Sequence, residues 1–431
     1  MISEKYRIME YPKVLVISNN SFSKTSNNGR TLGNLFIGWP KDRIAQFCIS
    51  TIEPDYDICN NYYVVTDENA FQSFIHFRKA KGQKIENCIN TAANTRIIST
   101  KPTVKTATKA LIRQMVWNNR WNSAQFWQWV GEFHPDVVLV MYSDSSFILQ
   151  IAQKVSEKKK IPLVMYNTEG FYFFEHDFMR ETNVFDRLNY YIYHKLHRRE
   201  VRRLMSRTAL SIHLNGKLKK DFLHEFGGRH EVIYNSSSME YRAYKVPETP
   251  QFNYLGNFGF DRVSSLVEIA DVLNEINPDY KLHIYGKIPA IEIEEKFNSN
   301  PNIILEGFIS YDKVQEIMYG STILFHAESF SPIYEENLRY GFTTKIADTL
   351  MSGVPFLMYS LPSVAGADYI METGAGWYAG NRQELKSSII EILNDEKKRM
   401  TVLKKAKEVS LQNHSDVKNR EKFQTLISEL R

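Results

Sequence analysis

The sequence predicts an α/β protein of two doubly wound halves, and three observations carry that expectation. Apolar runs of strand length alternate with helix-length segments along most of the chain, the order that builds a parallel sheet covered on both faces. A proline-punctuated stretch, Lys245-Val246-Pro247-Glu248-Thr249-Pro250, interrupts the alternation near the middle, where a linker is expected. The 431 residues suffice for two or three domains, each with its own core.

Each element follows from its pattern. Val14-Leu15-Val16-Ile17-Ser18 is a continuous apolar strand, and 44–49 reads as another. Strands follow at 137–142, 162–166, 209–214 and 231–234, with helices at 147–158 and 185–207 among them. After the linker, 252–255 is strand, 262–276 helix, 280–285 strand ending at Gly286, and 302–305 strand. A helix at 312–318, strand 322–326, helix 344–351 and strand 354–359 complete the second half, and 381–431 is helical and charged. No tandem repeat is visible. The expected division is 1–246, 247–412 and a closing helix at 413–431.

The composition excludes several classes. With 43% hydrophobic and 24% charged residues, the chain is neither disordered, collagen-like nor a disulfide scaffold. Cys48, Cys59 and Cys88 cannot all pair, which favours a reducing compartment. The first eleven residues are charged and lack the apolar core of a signal peptide. No apolar run approaches the roughly 18 residues that span a bilayer. A soluble or peripheral intracellular protein is expected.

A net charge of +5 says little, and no nucleic-acid partner is expected from it. Its distribution says more. Segment 101–131 has five basic residues, no acidic one, and Trp117, Trp121, Trp127 and Trp129. Segment 187–207 has seven Lys/Arg against Glu200, with Tyr190, Tyr191 and Tyr193. Basic helices with interfacial aromatics suit peripheral contact with an anionic membrane. The alternative is a solvated charged face with the tryptophans in the core.

Open parallel sheets bind ligands at the carboxyl ends of their strands, so the strand-to-helix loops matter most. The loop at 18–30 lacks both the Gly-x-Gly-x-x-Gly and the P-loop patterns. Gly29 there would let backbone approach a substrate closely, or the loop is simply a solvated connection. In 255–262, Gly256 and Asn257 precede a helix start, where backbone N–H groups favour phosphate, and Arg262 adds a charge. In 341–355, Thr343 or Thr344 can cap the helix. Lys345 in its first turn opposes the helix dipole unless an anion binds there. Asp348 lies four residues after Thr344, on the same face.

These residues resemble the retaining group 1 glycosyltransferases, which have the GT-B fold of two Rossmann-like lobes facing a cleft. The run Thr344-Lys345-Ile346-Ala347-Asp348-Thr349-Leu350-Met351-Ser352-Gly353-Val354-Pro355 looks like the bacterial branch that builds capsular and lipopolysaccharide-type glycans. Ile284-Tyr285-Gly286, Leu305-Glu306-Gly307-Phe308 and Gly374-Ala375-Gly376 support the likeness. The resemblance implies that Gly256, Asn257, Gly286 and Thr344 line a nucleotide-sugar site and that Asp348 stands where the family's Glu holds the ribose. Arg262 and Lys345 would stabilise the departing diphosphate. The family's other glutamate would fall at position 340, which is Tyr340; Glu328 is the preferred replacement.

In the N-terminal half Glu169, with Asp144 second, is the expected acceptor-side carboxylate, unless either only caps a helix. Asp55-Tyr56-Asp57 resembles the metal motif of the GT-A sugar transferases, but it follows a proline and reads as a turn. His283 and His326 alternate with apolar residues and read as strand or core histidines. No zinc spacing and no Gly-x-Ser-x-Gly elbow occurs.

The resemblance thus implies a retaining glycosyltransferase needing no cofactor or metal. It would use a nucleotide-diphosphate sugar as donor and a lipid-linked saccharide as acceptor in cell-surface polysaccharide synthesis. The expected location is the cytoplasm, at the cytoplasmic face of the inner membrane. The alternatives are a nucleotide-sugar epimerase on the same fold, which would turn over donor without acceptor, and a catalytically inactive nucleotide-sugar or glycan-binding homologue.

Overall fold

A computed structural model of the chain describes residues 11–24, 27–49, 53–86, 106–177 and 179–431. Cys88, Lys101 and Lys105 lie outside them. The chain divides into two compact units. The first takes the chain through Leu214, then Leu218–Ile233 and Asn419–Arg431; the second takes Asn215–Lys217 and Tyr234–Lys418. The proline-rich stretch at 244–252 therefore lies inside the second unit, whose main segment begins at Tyr234.

The first unit is built on an eight-stranded sheet. Its strands are β1 (Val14–Ile17), β2 (Ile44–Cys48), β3 (Asn61–Val64), β4 (Gln83–Glu86), β5 (Val137–Met141), β6 (Leu163–Asn167), β7 (Thr208–His213) and β8 (His230–Val232). The spatial order is β4-β3-β2-β1-β5-β6-β7-β8, parallel except for the β3–β4 pair. β1 pairs with β2 at Val14↔Ile44 and with β5 at Val14↔Val137. Both strands are buried along their whole length, which is why they read as unbroken apolar runs. Its helices are α1 (Asn27–Leu35), α2 (Asp67–Ile75), α3 (Ala107–Trp117), α4 (Ala124–Phe133), α5 (Ser146–Lys159), α6 (Val184–Met205) and α7 (Gly216–Phe226). Cys48 and Cys59 are buried thiols outside any disulfide.

The tryptophan-rich segment turns most of its indoles inward. Trp117, Trp121 and Trp129 are buried. Trp117 stacks on Phe147 at 4.4 Å and Trp129 donates to Asn61 Oδ1 at 2.6 Å. Indoles inside the unit are not interfacial anchors, so this segment's aromatic content says nothing about a membrane.

The second unit has six parallel strands: β9 (Phe252–Leu255), β10 (Leu282–Tyr285), β11 (Ile303–Gly307), β12 (Ile323–Ala327), β13 (Phe356–Tyr359) and β14 (Trp377–Ala379). Their order is β11-β10-β9-β12-β13-β14. The chain thus winds outward from β9 in one direction and then returns beside it through β12 in the other. Such a reversal leaves a crevice at the carboxyl ends of the two central strands. Around the sheet lie α8 (Arg262–Ile276), α9 (Ile291–Asn298), α10 (Tyr311–Tyr319), α11 (Pro332–Leu338), α12 (Lys345–Ser352), α13 (Ala365–Thr373), α14 (Arg382–Asn394) and α15 (Glu396–Asn413). The closing helix α16 (Asp416–Ser428) places Phe423 and Ile427 in the first unit's core. No helix among the described residues is long and apolar enough to cross a membrane.

Candidate functional site

The crevice beside β9 and β12 is where the predicted residues of the second unit meet. Gly256 follows β9, and Gly286 follows β10. A Cβ on Gly286 would stand 2.1 Å from the Gly256 carbonyl oxygen, and one on Gly256 would stand 2.4 Å from the Tyr254 hydroxyl, so neither position has room for a side chain. The turn into α8 then passes through Phe260 and Asp261, both left-handed at φ 56° and 54°. Non-glycine residues in that region cost about 1–3 kcal/mol each and cluster at functional turns. The turn delivers Arg262 to the first position of α8.

Arg262 does not point to solvent. Its Nε and Nη2 both bond Glu328 Oε2, at 2.7 and 2.6 Å, and its Nη1 bonds Asn257 Oδ1. Glu328 is placed by the end of β12: its N–H donates to Tyr359 O at 2.9 Å, and its carbonyl accepts from Ser265 Oγ at 2.7 Å. His326 Nε2 lies 2.9 Å from the other carboxylate oxygen. Burial pushes the Glu328 carboxyl up, but the His326 hydrogen bond and the Arg262 charge outweigh it and hold it at about 2. Burial lowers the His326 pKa against the pull of Glu328, and toward an ionised carboxylate oxygen Nε2 is the donor. Sequence reading set His326 aside as a core histidine. It is buried, yet as the residue two before Glu328 it shares the carboxylate's side of the strand, which is the signal that would have found it.

The third member comes from α12. Lys345 is its first residue and half-buried. Burial, then the Arg262 charge, lower its pKa to about 8 against the pull of Glu328 and Asp348. Among the described residues its ammonium has no hydrogen-bond or ion-pair partner. It borders a void of about 10 Å³ also lined by Leu255, His326, Thr343 and Thr349, room for a single water. Thr344 occupies the cap position but makes no side-chain cap bond. Thr343 Oγ1 accepts from Lys345 N at 3.4 Å instead. Asp348 accepts from Ser237 Oγ at 2.6 Å, a partner from a segment with no pattern to announce it. Tyr340 is buried, and its carbonyl accepts from Asn215 Nδ2 at 3.2 Å.

The first unit holds the other predicted residues. Gly29 is buried in α1, and its close approach is to the Ser21 carbonyl, which a Cβ would meet at 2.3 Å. Its missing side chain serves the fold of its own loop. Asp144, after β5, is ion-paired with buried Arg180, which also holds Asp177 at 3.0 Å. Glu169, after β6, donates its N–H to Asn167 Oδ1 at 3.0 Å. Burial, with the Asp144 charge adding, raises its carboxyl to about 7. Asp55 and Asp57 sit in a turn, where Asp57 pairs with Lys24 at 2.5 Å. Among the described residues no group of three or more His, Cys, Asp or Glu could hold a metal.

Arg262 and Lys345, each opening a helix at the crevice, can hold a dianionic group by charge and by the orphan amides of the two helices. Comparison with known proteins agrees on the fold. No protein-family profile matches the chain, and no curated protein matches it. Among solved structures, Anabaena Alr3699/HepE in complex with UDP is similar with a TM-score of 0.61 and 15% identity, over 97% of this chain and 100% of that one. Sucrose-phosphate synthase from Thermosynechococcus elongatus is similar at 0.60 and 11% identity, over 98% and 99%. TarM is similar at 0.51 and 14% identity, over 69% of this chain and 57% of that one. These neighbours are GT-B glycosyltransferases, and the chain has the GT-B fold.

Proposed function

We propose that the chain is a retaining, metal-independent glycosyltransferase that moves a sugar from a nucleotide-diphosphate sugar to a lipid-linked saccharide in cell-surface polysaccharide synthesis. The observation that carries this reading is the ammonium of Lys345, without a partner among the described residues, beside the Arg262–Glu328 pair at the point where the second sheet reverses its order. Such an arrangement is unfavourable empty and favourable with a diphosphate bound. The complexes of Anabaena HepE with UDP and UDP-glucose support the class of donor.

In this reading Arg262 and Lys345 neutralise the charge that grows on the diphosphate as its bond to the anomeric carbon breaks. The acceptor hydroxyl oxygen forms the new bond to that carbon, and its proton leaves with the diphosphate or to water. Glu328 positions Arg262, with His326 fixing the carboxylate, and Asp348 holds the ribose. On the acceptor side Glu169, half-protonated near neutrality, orients a hydroxyl. A second reading, a nucleotide-sugar-binding homologue without transfer, draws on Tyr340 filling the family's glutamate position and on Glu328 being committed to Arg262 and His326.

A thermal-shift panel of UDP, GDP, ADP, CMP and their sugar conjugates, with and without EDTA, tests the site. Ligand at a hundredfold excess over Kd adds about 2.7 kcal/mol of stability. The expected result is a shift with one nucleotide class, indifferent to EDTA and absent in Lys345→Ala. No shift at millimolar ligand would remove the donor site. A shift without transfer to any saccharide acceptor would leave the binding reading.

A further inference from the structure

We propose that α6, with α3 beside it, is the face by which the first unit rests on an anionic lipid bilayer. The inference stands on the first unit alone and is independent of the donor reading.

One side of α6 belongs to the fold: Tyr190, Tyr193, His197, Val201 and Leu204 are buried there. The other side is bare. Val184 and Phe185 are 80% and 79% exposed, Leu188 60%, Tyr191 64%, and Ile192 and Leu196 continue the row. Steps of three and four residues keep these side chains on one stripe. α3 packs alongside through Ala107, Ala110 and Leu111 against Tyr190 and Tyr193, and it adds exposed Ile112 and Met115. A row of six exposed apolar residues along one helix, with two more on the helix packed beside it, is more than the scattered apolar residues of an ordinary surface.

The charge around the stripe chooses the occupant. Toward the end of α6 the same stripe turns basic, with Lys195, Arg199, Arg202 and Arg203 exposed. The acidic residues of α6, Asp186 and Glu200, are both buried. Arg203 pairs with Glu200 at 3.3 Å and Arg202 reaches Glu225 only at 3.9 Å, whereas among the described residues Lys195 and Arg199 have no acidic partner. An apolar stripe flanked by unneutralised cations on long stems is the chemistry of a helix lying in a lipid interface, apolar residues in the acyl boundary and cations at the phosphates. α6 is too charged to span, so it lies in the plane.

Co-sedimentation of the full chain with vesicles of phosphatidylcholine, alone or mixed with phosphatidylglycerol, tests the proposal. The protein should pellet with the mixed vesicles, not with the neutral ones, and should be released by raised salt. Phe185→Ser with Leu188→Ser, and separately Lys195→Glu with Arg199→Glu, should each lower the partition about tenfold or more. All four residues are exposed, so melting temperature and any nucleotide-induced shift should stay as in the unchanged protein, which separates loss of docking from loss of the donor site. Failure to pellet, or pelleting that ignores both variant pairs, would overturn the assignment. So would a dimer in light scattering that Phe185→Ser abolishes, since that gives the face to a second copy of the chain.

Discussion

Lys345 is held against its own electrostatic interest. A cation at the first residue of a helix meets the positive end of the dipole, and here burial and Arg262 add to the cost, bringing its pKa to about 8 from 10.5. The unfolded chain keeps this proton until well above pH 8, so between about 8 and 10.5 the folded state binds fewer protons. Stability contributed by this group therefore rises with pH through that window. Two consequences follow from one residue. Lys345→Met should raise the melting temperature of the ligand-free protein by a few degrees, about 1 kcal/mol, while removing the nucleotide-induced shift; a lowered melting temperature would contradict the unpaired-cation account. Nucleotide diphosphate affinity, titrated calorimetrically, should fall as pH rises past about 8, and Lys345→Arg should flatten that profile because a guanidinium keeps its proton. An unchanged slope in Lys345→Arg would remove Lys345 from the anion site. Glu328 has the same sign in a lower window. Its carboxyl, held at about 2, contributes stability that is fully present above its ordinary 4.5 and is lost as pH falls from there through about 2.

At the scale of elements, α12 is a short helix fixed at its end rather than at its start. Its start is under-capped, since Thr344 makes no cap bond. Its end is not: Gly353 turns left-handed at φ 74°, and a Cβ there would stand 1.9 Å from the Arg242 carbonyl oxygen. Gly353→Ala would add left-handed strain to a backbone clash that no rotamer relieves. It should cost about 2–4 kcal/mol in denaturant melts, and a loss below 1 kcal/mol would mean the Arg242 segment is loose. This end of the helix was legible from Ser352-Gly353-Val354-Pro355, because glycine and proline punctuate locally. The central strands β9, β12 and β13 were legible for a similar reason, being buried along their length and hence mostly apolar, with Asn253 and His326 the polar exceptions in β9 and β12. Partnerships across the sheet were not. Arg262 and Glu328 are 66 positions apart, and nothing local to either residue announces the pair. Ser237 against Asp348 was invisible on the same ground. The tryptophans of α3 and α4 show the converse failure: composition lists aromatic and basic residues together, and only packing reveals that the rings turn inward while Ile112 and Met115 turn out.

At the scale of the whole molecule, the chain's last helix belongs to the unit its first strand built. Phe423 packs edge-on against Phe36 at 5.1 Å and lies 5.9 Å from Trp39, all within the first unit's core. Lys422 and Arg229 add ion pairs to Glu231 and Glu429, at 3.1 and 2.5 Å, but both pairs are exposed and contribute little. The apolar contacts decide. Replacing a fully buried phenylalanine by alanine costs about 3–5 kcal/mol, so Phe423→Ala should weaken the first unit although the residue is reached only after the entire second unit has been traversed. Hydrogen exchange can read this by unit. Amides of β1, β2 and α1 should exchange faster in Phe423→Ala, while those of β9, β12 and α12 keep their protection. Deleting 416–431 should extend the same pattern, because the core beneath Phe36 and Trp39 then opens to water. Faster exchange confined to the second unit would mean the helix serves the sheet it follows, and the division of the chain at Asn419 would have to be redrawn.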